Sequence, residues 1–116
     1  MTSKNQVVSF LKQLKVKIGI FGVIYLDERG KNAQALLDLN ITPAKRTEII
    51  MKLGSRDYSE GPKNEEIRGL SSMWIFGKTV NKKEVYIKIS PGTENSSAVC
   101  ISFHIAEHPI DYPYKN

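Results

Sequence analysis

A single cysteine, Cys100, among 116 residues excludes an intramolecular disulfide and any cysteine cage for zinc, which makes a reducing compartment the default expectation. Long apolar runs are missing too. The longest, Ile18 to Leu26, is about half of a membrane span and is interrupted by Gly19 and Gly22. The N-terminus lacks the layout of a secretory signal, so neither anchorage nor export is expected, and the cytoplasm fits best. Gly19, Gly22 and Gly30 form no phosphate fingerprint, because neither G-x-G-x-x-G nor G-x-x-x-x-G-K-S/T occurs; no nucleotide cofactor is expected. Charge is not extreme either. Seventeen Lys and Arg against twelve Asp and Glu leave +5, which permits an anionic partner without demanding one.

What is present suffices for one globular domain over 1–116, with 41% hydrophobic residues and no internal repeat. Val7, Val8, Leu11 and Leu14 recur at helical spacing behind Thr2 or Ser3 as a cap. From Val16 to Leu26 the β-branched and aromatic content predicts a strand, and Asp27-Glu28-Arg29-Gly30 a turn. Asn32 to Leu39 predicts a short helix, and Thr42-Pro43 starts another that buries Ile49, Ile50 and Leu53 before Gly54 stops it. Residues 55–72, rich in Asp, Ser, Gly, Pro and Asn, predict a long loop. Three strands follow, over about 73–80, 84–90 and 97–106, joined by an Asn81-Lys82 turn and a Pro91-Gly92 loop. Helices first and a β-meander last make an α+β fold, with N-terminal helices packed on a mainly antiparallel sheet.

Alternation in the last two strands carries the functional argument. Val85, Ile87 and Ile89 oppose Glu84, Tyr86, Lys88 and Ser90, while Val99, Ile101, Phe103 and Ile105 oppose Cys100, Ser102, His104 and Ala106. If the apolar rows meet the helices, Tyr86, Lys88, Ser102 and His104 share the other face of one sheet, as a site or as an ordinary solvated face. His104-Ile105-Ala106-Glu107-His108 spells the inverted zincin pattern, but it falls where a strand ends and Pro109 follows, so no metal is expected. Asn95-Ser96-Ser97 reads as a loop rather than a glycosylation site. Cys100 reads as a buried thiol, and Trp74 and Phe76 as packing residues, with base stacking the functional alternative for Trp74. Lys78, Lys82, Lys83 and Lys88, opposed within that stretch by Glu84, make the hairpin basic.

The chain also resembles the motility quorum-sensing regulator (MqsR) family of bacterial toxins, a branch of the RelE-like endoribonuclease toxins encoded with an antitoxin. The resemblance runs through Ala35-Leu36-Leu37, Ile49-Ile50-Met51-Lys52-Leu53, Asp57-Tyr58 and Trp74, and is strongest over Val85-Tyr86-Ile87-Lys88-Ile89 and Ile101-Ser102-Phe103-His104. It implies a RelE-like architecture and a metal-independent endoribonuclease that cleaves single-stranded mRNA, needs no cofactor and is neutralised by a cognate antitoxin protein. The family's active-site tyrosine falls on Tyr86, and the basic residue after its Ser-Phe pair falls on His104, an imidazole where the best-known members carry lysine. Two family positions differ in kind. The basic residue after the Asp-aromatic pair falls near Glu60, with Lys63 the nearest cation, and the glutamine after the tryptophan falls on Ile75.

Cleavage by a 2′-hydroxyl needs a base, an acid and a cation, and an imidazole is the side chain whose charge changes near neutral pH. The expected catalytic residues are His104, Tyr86 and Lys88, with Lys63, Trp74, Lys78, Lys82 and Lys83 as RNA contacts and Lys78 as another charge stabiliser. The competing expectation is a non-catalytic protein-interaction or RNA-binding module that uses the meander's face or its edge strand.

Overall fold

The computed structural model describes residues 2–27, 30–64 and 72–116. Glu28 and Arg29 of the expected turn, and 65–71 of the expected loop, lie outside the described residues. Three helices, α1 (Lys4–Phe21), α2 (Lys31–Leu39) and α3 (Pro43–Met51), pack on one face of a sheet formed by β1 (Val23–Tyr25), β2 (Tyr58–Asn64), β3 (Ser72–Val80), β4 (Lys83–Ser90) and β5 (Ala98–Ile105). The spatial order is β1-β5-β4-β3-β2. Only the β1–β5 pair among these strands is parallel, so the α+β class stands with a mixed, mainly antiparallel sheet.

Helix α1 replaces most of the strand expected over Val16 to Leu26. Ser3 and Gln6 close a capping box, and Val7, Leu11, Leu14 and Ile18 continue one buried stripe at helical spacing. The β-branched Val16 and Ile20 that suggested a strand lie exposed on the opposite side, so tertiary burial of the stripe overrides local propensity. Gly22, at φ 78°, ends the helix and admits the short β1. In α3, Thr42 accepts a bond from the Lys45 amide, with Pro43 in the first turn. Arg46 is buried there, holding Asp27 through two bonds of 3.0 and 3.1 Å beneath the ring of Tyr25.

The second departure is β2. A 3₁₀ turn at Ser55–Asp57 leads into a strand where a loop was expected, because the exposed edge of β3 pairs even with Ser-Glu-Gly-Pro-Lys once Tyr58 is buried beside Trp74 and Phe76. An outer strand tolerates proline, and the register of β2 breaks on both sides of Glu60. Both edges of the β3–β4–β5 meander are therefore paired within the chain, by β2 and β1. The tight turn at Asn81-Lys82 is as expected, with φ 47° and 71° at its two residues.

A bulge in β5 corrects the expected inward row. Lys88 pairs with Ser102 and Ile89 with Cys100, leaving Ile101 as an extra residue. Ala98, Cys100, Phe103 and Ile105 consequently face the helices, whereas Val99 pairs with Ser90 on the other phase. Asn32, buried on α2, satisfies the disturbed backbone. Its Nδ2 donates to the carbonyls of Leu26 and Ile101 at 2.9 and 3.0 Å, and its Oδ1 accepts from the Phe103 amide at 2.9 Å. Burial pushes the Cys100 thiol up to about 12. The folded chain keeps that proton where the unfolded chain loses it, near about 8.5, so this group's contribution to stability falls as pH rises beyond that point. A thiol reagent at pH 8 will leave Cys100 unmodified in the folded protein and label it at once in denaturant, as mass spectrometry will read directly.

After β5 the chain turns back across the sheet face that the helices leave open. Tyr112 donates to Glu84 at 2.8 Å and lies on Gly77, where an added Cβ would overlap its ring and hydroxyl. Tyr114 then stacks on Tyr58 and donates to the carbonyl of Thr2.

Candidate functional site

Antiparallel pairing of β4 with β5 sets Tyr86 opposite His104 and Lys88 opposite Ser102. All four side chains project to the open face, because their neighbours Val85, Ile87, Phe103 and Ile105 are drawn to the helices. The two rings stack, with centroids 5.5 Å apart and planes 24° from parallel. The Lys88 ammonium lies 5.8 Å from the centre of the Tyr86 ring. His104 Nδ1 is 3.0 Å from the carbonyl oxygen of Ile105. A carbonyl only accepts, so Nδ1 carries the proton in the neutral ring and Nε2 holds the lone pair.

These residues line an open groove of about 480 Å³ between the sheet and the segment after β5. Glu60 and Ile75 form its β2 and β3 wall, and His108 and Asp111 its far rim. Burial, then the charge of Glu60, raises the Tyr86 phenol pKa, with Lys63 opposing in part. Tyr86 therefore stays protonated at neutral pH and acts as a donor. Glu60 and Lys63 pair at 2.9 Å, and Lys31 holds Glu107 at 3.0 Å, keeping its carboxyl below the usual range.

The expected site residues divide by face. His104, Tyr86 and Lys88 come together in the groove, and Lys63 joins its border through Glu60. Trp74 does not. It is 8% exposed and stacked on Phe10 at 4.0 Å and 6°, so no face of its indole is open to a base, and the expected RNA contact is corrected to a core role. Lys78 stands on the helix-side row of β3 and pairs with Asp57 at 3.2 Å, so it does not stabilise charge beside Tyr86. Lys82 and Lys83 sit at the β3–β4 turn outside the groove, with Lys83 reaching the Asp38 carbonyl at 3.5 Å. The basic hairpin is thus split between faces, because period-2 alternation sends Lys78 and Lys88 to opposite sides.

Sequence reasoning reached Glu60 only as a family position filled by the wrong charge, and missed His108 and Asp111 as groove residues and Asn32 as the group that holds the strand carrying His104. The His104-to-His108 string did contain a signal, since the strand ends inside it and both rings border one space. Among the described residues no group of three His, Cys, Asp or Glu is placed to hold a metal ion, and no helix is long and apolar enough to cross a membrane. Comparison with family models, with curated proteins and with solved structures finds no match to this chain.

Proposed function

We propose that this protein is a metal-independent endoribonuclease toxin of the MqsR type, with a RelE-like architecture, which cuts single-stranded mRNA in the cytoplasm and is neutralised by an antitoxin protein. The observation that carries the reading is the stacked Tyr86–His104 pair, open to the groove, with the Ile105 carbonyl fixing the imidazole so that Nε2 is the proton acceptor. His104 Nε2 takes the proton of the 2′-hydroxyl, whose oxygen attacks the adjacent phosphorus as the bond to the 5′-oxygen breaks. The Tyr86 phenol gives its proton to the leaving 5′-oxygen and recovers one from solvent, while the His104 imidazolium returns its own to solvent, and Lys88 offsets charge on the non-bridging oxygens. The products are a 2′,3′-cyclic phosphate and a free 5′-hydroxyl.

Three further observations support the reading. The resemblance to MqsR toxins is strongest over the two segments that supply Tyr86 and His104, and the positions it marks at Glu60 and Ile75 line the same groove. The groove is open, as access for an unpaired strand requires. Ile20, Phe21 and Ile24, exposed beside the short edge strand β1, offer an apolar surface for a neutralising partner. Purified protein in excess EDTA will cut unstructured RNA and leave 2′,3′-cyclic phosphate ends detectable by mass spectrometry. Intact RNA after prolonged incubation with folded protein overturns the proposal in favour of a binding module.

A further inference from the structure

A second groove, of about 360 Å³, opens where β3 runs on past the start of β2. Lys52, Arg56, Lys78 and Lys115 line it against one carboxylate, Asp57. That carboxylate is already engaged, accepting from the Gly54 amide at 2.9 Å and from Lys78 at 3.2 Å. Lys52 has Glu48 as its partner on the outer side. Arg56 differs from these, because its Nε donates to the Lys115 carbonyl, an uncharged acceptor, and Lys115 itself sits over the Tyr112 ring at 5.1 Å. Among the described residues neither Arg56 nor Lys115 has a carboxylate in ion-pair contact. Two cations held in place without an anion form a ready seat for phosphate.

The position of this groove says whose phosphate it takes. Along β3, Ile75 lines the first groove, Gly77 lies beneath Tyr112, and Thr79 lines the second. Ile75 and Thr79 are four residues apart on one strand, about 13 Å at the usual rise of roughly 3.3 Å per residue. Tyr86 and His104 lie opposite Gly77, one and two strands across from it. At about 4.8 Å between strands, this puts His104 about 12 Å from Thr79. An RNA strand spans that distance in roughly two to four nucleotides, depending on how far its bases stay stacked. We propose that the groove of Arg56 and Lys115 is a second phosphate subsite for the same RNA strand, engaged a few nucleotides from the bond that is cut. This rests on the endoribonuclease reading and adds to it a path for the substrate across the C-terminal segment at Tyr112.

The test uses binding alone, so that its outcome is separate from cleavage. Fluorescence anisotropy of labelled 2′-O-methyl oligonucleotides, which lack the attacking hydroxyl, gives affinity for a dinucleotide and a decanucleotide across a salt series. Wild-type protein will gain affinity with strand length. The R56A/K115A double variant will lose most of that gain, bind the decanucleotide roughly tenfold more weakly at low salt, and show a log–log salt slope shallower by about 1.4, at roughly 0.7 per lost contact. Arg56→Lys, which keeps the charge, will retain the length dependence and guard against a folding artefact. Equal affinity and slope in wild type and double variant overturn the subsite even if EDTA-resistant cleavage is found. Binding of poly-glutamate but not RNA by the wild type also overturns it, and assigns the groove to an acidic protein. A length effect lost in the variant, in protein that cuts nothing, keeps the subsite and removes the catalytic proposal.

Discussion

Replacing His104 by alanine will lower the single-turnover rate of RNA cleavage by roughly 10²- to 10⁴-fold, the range for removal of a positioned acid–base group. The size follows from geometry. The imidazole is held between the Tyr86 ring and the Ile105 carbonyl, so its acceptor nitrogen is presented without a search among ring orientations. Alanine leaves Lys88 and the phenol in place, and these preserve a residual rate through phosphate binding and charge stabilisation. Glutamine at the same position will be nearly as slow, because it fills the space without accepting a proton at neutral pH. His104 is half-buried near the end of β5, so the variant will melt close to the wild type. A rate unchanged by the substitution removes His104 from the mechanism.

A large stability loss outside the apolar core is expected at Asn32. Asn32→Ala strands two buried backbone groups, the Ile101 carbonyl and the Phe103 amide, and removes the bond to Leu26. At about 1–3 kcal/mol for each buried group left unsatisfied, the loss will be about 3 kcal/mol, visible as a lower urea midpoint at unchanged slope. Asn32→Asp will not rescue it. A carboxylate still accepts from Phe103, but it turns an oxygen toward two carbonyls that need a donor. A loss below about 1 kcal/mol in the alanine variant would mean that water or a shifted strand serves the bulge equally well.

The meander was legible because its signals are local. Alternation showed which side of β4 and of the end of β5 faces the helices, which placed Tyr86, Lys88 and His104 on one face, and two turn-forming residues set the β3–β4 register. What the sequence hid depends on partners distant in the chain. Ile18 belongs to a helix because it completes the stripe of Leu14, and β2 exists because β3 offers an unpaired edge. The Ala98–Cys100 phase was hidden because a bulge leaves no mark in the composition, and Asn32 was hidden because its acceptors lie far away in the chain. Arg46 has the same character, a charge whose burial depends on Asp27 and Tyr25. Trp74 was assigned to RNA on residue type, and Phe10 across the core decides otherwise.

Ile101 also separates β5 into two pieces of different phase. Ala98–Cys100 is held between β1 and β4, and beyond Ile101 the stretch Ser102–Ile105 has β4 alone as its strand partner. A strand of uniform phase would transmit any slip at the parallel edge straight to the imidazole. Here the spare residue absorbs it. Loss of Ile101 would leave a flush ladder with both faces intact, and loss of Ser102 would let Ile101 take its place opposite Lys88 with the imidazole still on the open face. Loss of two residues between Cys100 and His104, by contrast, would swing the imidazole into the interior. The stretch between Cys100 and His104 thus tolerates shortening by one residue and not by two.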